Sequence, residues 1–284
     1  MTSGASDTVG VVTRGSHPAT AMCHVLLEDP ELAEAIEPER RARAVETLVA
    51  RELTIPAGAW RGTPVAVNGG IGLLVLDGIV ICRTGVDARF GAELLGEGDV
   101  LRAVREQAAP ATLPLAVDWM ILEPLRLAVL DERFARRLML FPQLAGRLLE
   151  RSVLRTRQLA VNMAIIHQAR VDVRLRLLLW HLAGRWGRVR SDGIVVPLKL
   201  THTVLADLVA ARRPTVTSAL SELSRSGAVR AVDEGWLLSG EPPGDRPGDP
   251  PAGASTAREH ETSAPSTSIP TSSSAARSSD CSSA

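Results

Sequence analysis

Arg212, Arg213 and Pro214 stand together between two apolar runs of helical spacing, LADLVA and VTSALSEL. A guanidinium is a planar fork that donates paired hydrogen bonds to phosphate, or to O6 and N7 of guanine. Two of them, followed at once by Thr215, Thr217 and Ser218, make a cluster of donors suited to a nucleic acid. The other reactive residue types are scattered. Cys23, Cys82 and Cys281 are odd in number, far apart and without Cys-x-x-Cys or Cys/His ligand spacing, so no metal site is indicated and a reducing, cytoplasmic setting is expected. His167 and His181 stand singly in an arginine-rich stretch and read as structural or exposed residues, with haem ligation as the alternative. Glu93 and Glu97, at i,i+4, read as a surface feature. No G-x-S-x-G, P-loop or HExxH pattern occurs, so an enzyme is not expected.

The elements that must position the arginines follow from local signals. Thr201 is a helix N-cap, with Leu205, Leu208 and Val209 at helical spacing behind it. Pro214 belongs in the first turn of a second helix, where the missing N–H loses nothing and the fixed φ suits entry. Val216, Leu220 and Leu223 make the inward stripe of that helix, which ends at Ser226-Gly227. AVRAV, the Asp233-Glu234-Gly235 turn and WLLS then read as a hairpin. Two short helices, a turn of about three residues and a hairpin define a winged helix-turn-helix. The arginine pair sits at the second helix's N-terminus, where each cation opposes the macrodipole at a cost of up to about 1 kcal/mol. A polyanion offsets that cost. Thr201 and His202 are placed for a backbone phosphate, and Arg212, Arg213, Pro214, Thr215, Thr217 and Ser218 for the major groove.

The 284 residues suffice for about two domains, with 45% hydrophobic but 3% aromatic residues and no Tyr. The net charge of zero is uneven: residues 21–131 carry 17 acidic and 10 basic side chains, 132–190 carry 3 acidic residues and 13 arginines. That asymmetry hints at a polyanionic partner for the second half. Residues 1–20 and 241–284, rich in Gly, Ser, Thr and Pro, are expected to be disordered. Leu32–Val49 has helical spacing. From Arg51, short apolar runs separated by Gly, Pro and Asn-Gly predict a sandwich or barrel of short strands. Helix formers dominate from Asp131 to Arg185. Within them Leu149, Ser152, Thr156, Leu159, Met163 and Ile166 recur in steps of three and four, a seam that packs against a copy of itself, with arginines 147, 151, 155 and 157 beside it. No apolar run approaches a membrane span, and no signal peptide is recognisable; a soluble chain with no membrane partner is expected.

PLKLTHTVLADLVAARRPTVTSALSELSRSGAV followed by EGWLL resembles the DNA-binding domain of the Crp/Fnr family of bacterial transcription regulators. The matching positions are Leu200, Thr201, His202, Leu205, Ala206, Val209, Arg213, Thr215, Val216 and Leu220. The chain departs at Ala210, where the family usually has Gly, and at Pro214 and Ser218, where members carry base-reading residues, so the family's best-known target sequence does not transfer. LLVLDGIVICRTGVDARFGAELLGEGDVL resembles the central strands of the family's cyclic-nucleotide-binding β-roll. The resemblance implies an α+β fold: a β-roll sensor over 21–142, a dimerisation helix over 143–168 and a winged helix-turn-helix over 169–240. It implies double-stranded DNA, a second copy and RNA polymerase as partners. After Gly96-Glu97-Gly98-Asp99 the Gly-Glu pair and the Arg of cyclic-AMP binders are missing. Arg102 and Arg105 remain as candidates for holding some anion, no cofactor is indicated, and the effector is open. The alternative reading is a small-molecule-binding signalling protein whose helix-turn-helix is a protein-interaction surface.

Overall fold

The computed structural model describes residues 21–60, 69–86, 89–101 and 116–243. It opens with strand β1 (Met22–His24) and helices α1 (Val25–Glu28), α2 (Pro30–Glu34) and α3 (Pro38–Thr47). Pro30 and Pro38 each lie in a first helical turn. The helical pattern expected over Leu32–Val49 is therefore cut at Glu37, and Val49 already belongs to a strand. Strands β2 (Val49–Ile55), β3 (Gly58–Trp60), β4 (Gly72–Val86), β5 (Arg89–Leu95), β6 (Val100–Leu101) and β7 (Ala116–Leu130) follow. They form one antiparallel sheet in the order β1-β2-β7-β4-β5, with β3 on β7 and β6 on β4.

The expected short strands are corrected to two strands of 15 residues, β4 and β7, paired along their length. Their register slips three times between Val75 and Val80. Gly78 (φ +96°) and Pro124 meet at this break, and a Cβ on Gly78 would lie 2.3 Å from the Pro124 carbonyl oxygen. Proline has no N–H for the ladder, so the ribbon tolerates it only at such an irregularity. The bend makes the ribbon a roll: one half pairs with β2 and β6, the other with β3 and β5. Leu73, Val80, Leu95, Ile121 and Leu127 fill its interior. Leu74, Leu76, Ala128 and Leu130 face outward into a second core made with the N-terminal helices and Phe134, Leu144 and Leu148.

The helical stretch expected from Asp131 resolves into α4 (Glu132–Leu138), α5 (Pro142–Ile166) and α6 (Val171–Trp186). Then come β8 (Arg188–Arg190), β9 (Gly193–Val196), α7 (His202–Leu208), α8 (Arg213–Arg225), β10 (Val229–Val232) and β11 (Gly235–Leu238). The last strands pair antiparallel as β10-β11-β9-β8. A third core joins Leu175 and Leu179 of α6 with Leu205, Val216, Leu220 and Trp236, and it extends onto Ile79, Ile81 and Leu94 of the roll. The helix-turn-helix unit is thus seated on the outside of the β-roll.

Three carboxylates are buried among the described residues, Asp29, Glu93 and Asp99. Each meets an arginine: Arg151 on Asp29, Arg155 on Glu93 at 2.8 Å and Arg185 on Asp99 at 2.8 Å. Arg137 donates to the carbonyls of Thr47 and Val49. This corrects two expectations. Glu93 is no surface residue, because it lies on a strand whose other neighbours bury it. Several arginines of 132–190 neutralise the acidic half of their own chain, which removes the charge asymmetry as an argument for a polyanion.

The expectations for 1–20 and, from 244 onward, for the tail lie outside the described residues, as do Cys281, Arg102 and Arg105. Cys23 and Cys82 are buried and free. Burial, aided by Glu52 and Glu28, pushes the Cys23 thiol up to about 11, and burial also raises that of Cys82. Since the thiolate is the nucleophile, iodoacetamide at pH 7.5 is expected to leave both unmodified in the native chain and to label both in urea, as peptide mass spectrometry resolves site by site. Among the described residues no helix is long and apolar enough to cross a membrane, and no three His, Cys, Asp or Glu side chains are grouped for a metal ion.

Candidate nucleic-acid interface

Helix α7 starts at Thr201, whose Oγ1 accepts the Val204 N–H at 3.3 Å. The Thr201 hydroxyl proton remains free to donate outward. At the other end, the Ala210 N–H reaches the Asp207 carbonyl at 3.3 Å and the Ala211 N–H the Ala206 carbonyl at 2.9 Å, a Schellman closure. The residue in the left-handed conformation is Ala210, at φ +50°. A Cβ there costs roughly 1–2 kcal/mol, partly offset because glycine loses more chain entropy on folding. Ala210→Gly is therefore expected to raise the unfolding free energy by up to about 1 kcal/mol, read as a higher midpoint in urea; a lower midpoint contradicts the strain.

Helix α8 begins at Arg213 with Pro214 in its first turn, as the sequence required, and Arg212 is an N-cap whose side chain caps nothing. The first intrahelical bond is Val216 N–H to the Arg212 carbonyl at 3.1 Å. The N–H groups of Arg213 and Thr215 are therefore left over at the positive end of the dipole. Val216, Ala219, Leu220 and Leu223 are buried against α6 and α7, whereas Arg212, Arg213, Pro214, Thr215, Thr217 and Ser218 are exposed. Neither the Arg212 nor the Arg213 guanidinium has an acidic partner or a hydrogen bond among the described residues. The helix ends with Gly227 at φ +77°, closed by Ala228 N–H on the Leu223 carbonyl at 3.0 Å.

Not every expected contact residue is equally free. Thr217 Oγ1 donates to the Arg213 carbonyl at 3.1 Å and Ser218 Oγ to that of Pro214 at 3.2 Å, so their lone pairs, not their protons, face out. His202 is half-buried, with Nδ1 3.0 Å from Thr217 Oγ1 and its ring 6.4 Å from that of Trp236. Because the Thr217 proton is engaged, Nδ1 carries the donating hydrogen. In the neutral ring Nε2 is then an acceptor, which suits a brace between α7 and α8 better than a phosphate contact. Only spatial proximity fixes this; the sequence places the two residues 15 positions apart.

The seam of α5 divides cleanly. Leu144, Leu148 and Ile165 are buried against their own chain, with Arg151, Arg155, Gln158 and Asn162 half-buried between them. Leu149, Ser152, Thr156, Leu159 and Met163 are exposed, and Ile166 is half-buried. Ser152 and Thr156 donate to the Leu148 and Ser152 carbonyls, both at 3.0 Å, which turns their polarity back into the helix. Val153 and Ala160 continue the exposed stripe. Arg147 and Arg157 stay on the outside, while Arg151 and Arg155 turn inward to their carboxylates.

The described residues thus combine a β-roll, a long helix with an exposed apolar stripe and a winged helix-turn-helix. Residues 173–238 match the Crp-like helix-turn-helix domain. The fold is similar to that of a cyclic nucleotide-binding domain containing protein from Listeria monocytogenes EGD-e, with 16% identity, TM-score 0.56, and 74% of this chain and 96% of that one covered. It is also similar to a CooA variant from Carboxydothermus hydrogenoformans (18%, 0.53, 68% and 84%). FixK2 from Bradyrhizobium japonicum is a third likeness (15%, 0.51, 67% and 93%). No curated protein matches the sequence.

Proposed function

We propose that this chain is a homodimeric regulator of transcription that binds double-stranded DNA in a sequence-specific way. The observation that carries the reading is the exposed N-terminal end of α8, with two unpartnered guanidiniums set against the dipole of a helix that has no side-chain cap. Side by side at the start of one helix, they are accounted for together by a partner of opposite charge. The two-fold axis would run along the exposed stripe of α5, putting two α8 tips into major grooves roughly 34 Å apart. A regulator of this kind works through RNA polymerase, in the cytoplasm where the DNA is. The effector would not be cyclic AMP. What supports this is the sequence after Gly96-Glu97-Gly98-Asp99, which lacks the Gly-Glu pair and the arginine of cyclic-AMP binders.

Selection of bound sites from random duplexes, with and without cyclic AMP, tests the reading. It should return a pseudo-palindrome, identical in both arms, with affinity falling steeply as salt rises. Binding indifferent to salt would instead point to the helix-turn-helix as a protein surface. Within that assay Arg213→Ala is expected to lower discrimination at one base pair per half-site by about 1–3 kcal/mol. Thr201→Ala should weaken all sequences alike. A footprint competition that shows unchanged preference for Arg213→Ala removes that residue from the groove.

A further inference from the structure

We propose that Arg174 is a positioning residue for the helix that reads DNA: its guanidinium ties the end of α5 to the turn between α7 and α8, and so fixes where the α8 tip stands. Arg174 lies near the start of α6, but its side chain serves two other segments. Nε donates to the Gln168 carbonyl at 2.6 Å. Nη1 donates to the carbonyls of Val209 at 3.2 Å and Ala210 at 3.4 Å. Gln168 belongs to the link 167–170 between α5 and α6. Val209 is the C-cap of α7, and Ala210 is the left-handed residue after it. None of the three carbonyls accepts a backbone N–H among the described residues.

A helix end leaves its last carbonyls without partners, and a cation there complements the dipole. The Schellman bonds at the end of α7 engage the N–H groups of Ala210 and Ala211 but leave the Val209 and Ala210 carbonyls without a donor. Alanine does not favour φ +50° by itself, so donors set on its carbonyl from outside select this turn. The turn fixes the angle between α7 and α8, and with it the direction in which Arg212 and Arg213 project. The Nε end of the same fork is fastened just beyond α5, the helix that carries the exposed stripe. An arginine presents separate N–H groups on one rigid plane, whereas a lysine ammonium is a single point. Only the fork can hold both segments at once. The inference rests on the reading of the chain as a DNA-binding dimer and names the side chain that transmits the position of the two-fold axis to the α8 tips.

Two measurements on the full chain test it. In amide hydrogen exchange followed by NMR without DNA, Arg174→Met is expected to speed the Ala210 and Ala211 amides by about tenfold, beyond any change at Leu178 and Leu179. The second uses palindromes whose half-sites are moved apart or together by one or two base pairs. Each step displaces a groove by about 3.4 Å and turns it by about 34°. The wild type should lose about 10²-fold in affinity on the wrong spacings, and Arg174→Met about tenfold or less. Arg174→Lys keeps the stem and the charge. It should melt as the wild type does yet show the same flattened spacing preference, a split that lost stability alone does not produce. Unchanged exchange at Ala210 and Ala211 overturns the proposal with no DNA present. The DNA-binding reading fails separately, if the wild type ignores every duplex. A spacing preference as sharp in either variant as in the wild type also overturns the proposal, as does an affinity lost equally at every spacing.

Discussion

Replacing Arg155 by alanine is expected to destabilise the chain by about 3 kcal/mol, read as a melting temperature lower by roughly 6–12 °C for a folded unit of this size. The guanidinium spans three elements: Nε and Nη2 hold both oxygens of Glu93 on β5, and Nη1 donates to the Val100 carbonyl on β6 at 3.0 Å. The Glu93 side chain is 12% exposed and that of Arg155 26%. Removing the cation thus leaves a carboxylate almost out of water with no counter-charge, and that desolvation is the larger part of the loss. The pair itself need not be strongly favourable. Hence the double change Glu93→Leu with Arg155→Met should recover most of the lost stability, since two apolar side chains of similar volume leave nothing unpaired. If Arg155→Ala melts within 1–2 °C of wild type, the carboxylate reaches water and the pair does not fasten α5 to the roll.

That fastening was invisible in the sequence, and the reason is distance along the chain. Glu93 and Arg155 are 62 positions apart, Asp29 and Arg151 122. Without the fold, Glu93 has only local neighbours to be judged by, and with Glu97 at i,i+4 it read as a surface feature. The helix-turn-helix was legible because its determinants are local: a capping Thr201, Pro214 in a first turn, Ser226-Gly227 at an end, and apolar stripes within single helices. The roll was legible as β-structure but not in its form. Asp77-Gly78 and Glu123-Pro124 are bends inside two long strands, made possible because the two irregularities lie opposite each other. The same holds within the interface, where Thr217 and Ser218 were expected to donate outward and instead return their protons to the preceding turn.

Introducing a carboxylate at the exposed stripe of α5, Met163→Glu, is expected to convert the dimer to monomer and to weaken binding to a full palindrome by about 10²–10⁴-fold. Met163 is 60% exposed, as are Val153 at 60% and Leu149 at 66%. Large apolar side chains lying side by side on one helix face, with serine and threonine hydroxyls folded inward between them, form a patch of the kind that interfaces cover. In a two-fold pairing each residue of the stripe faces itself or a near neighbour across the axis. One substitution therefore places two like charges in a seam from which water is excluded, a cost large against the energy of a single helix pair. The folded protomer should be indifferent, because the Met163 side chain touches little of its own chain. Three measurements together discriminate the outcomes. Sedimentation equilibrium should report half the mass, the melting temperature extrapolated to low concentration should be unchanged, and half-site affinity should survive while full-site affinity is lost. The last follows because linking two half-site contacts makes the second event intramolecular, an advantage that vanishes with the dimer and not with the groove contacts of Arg213. A variant that remains dimeric and binds the palindrome normally would move the two-fold axis off α5 altogether, and the spacing of the two α8 tips would then have to be set by another surface.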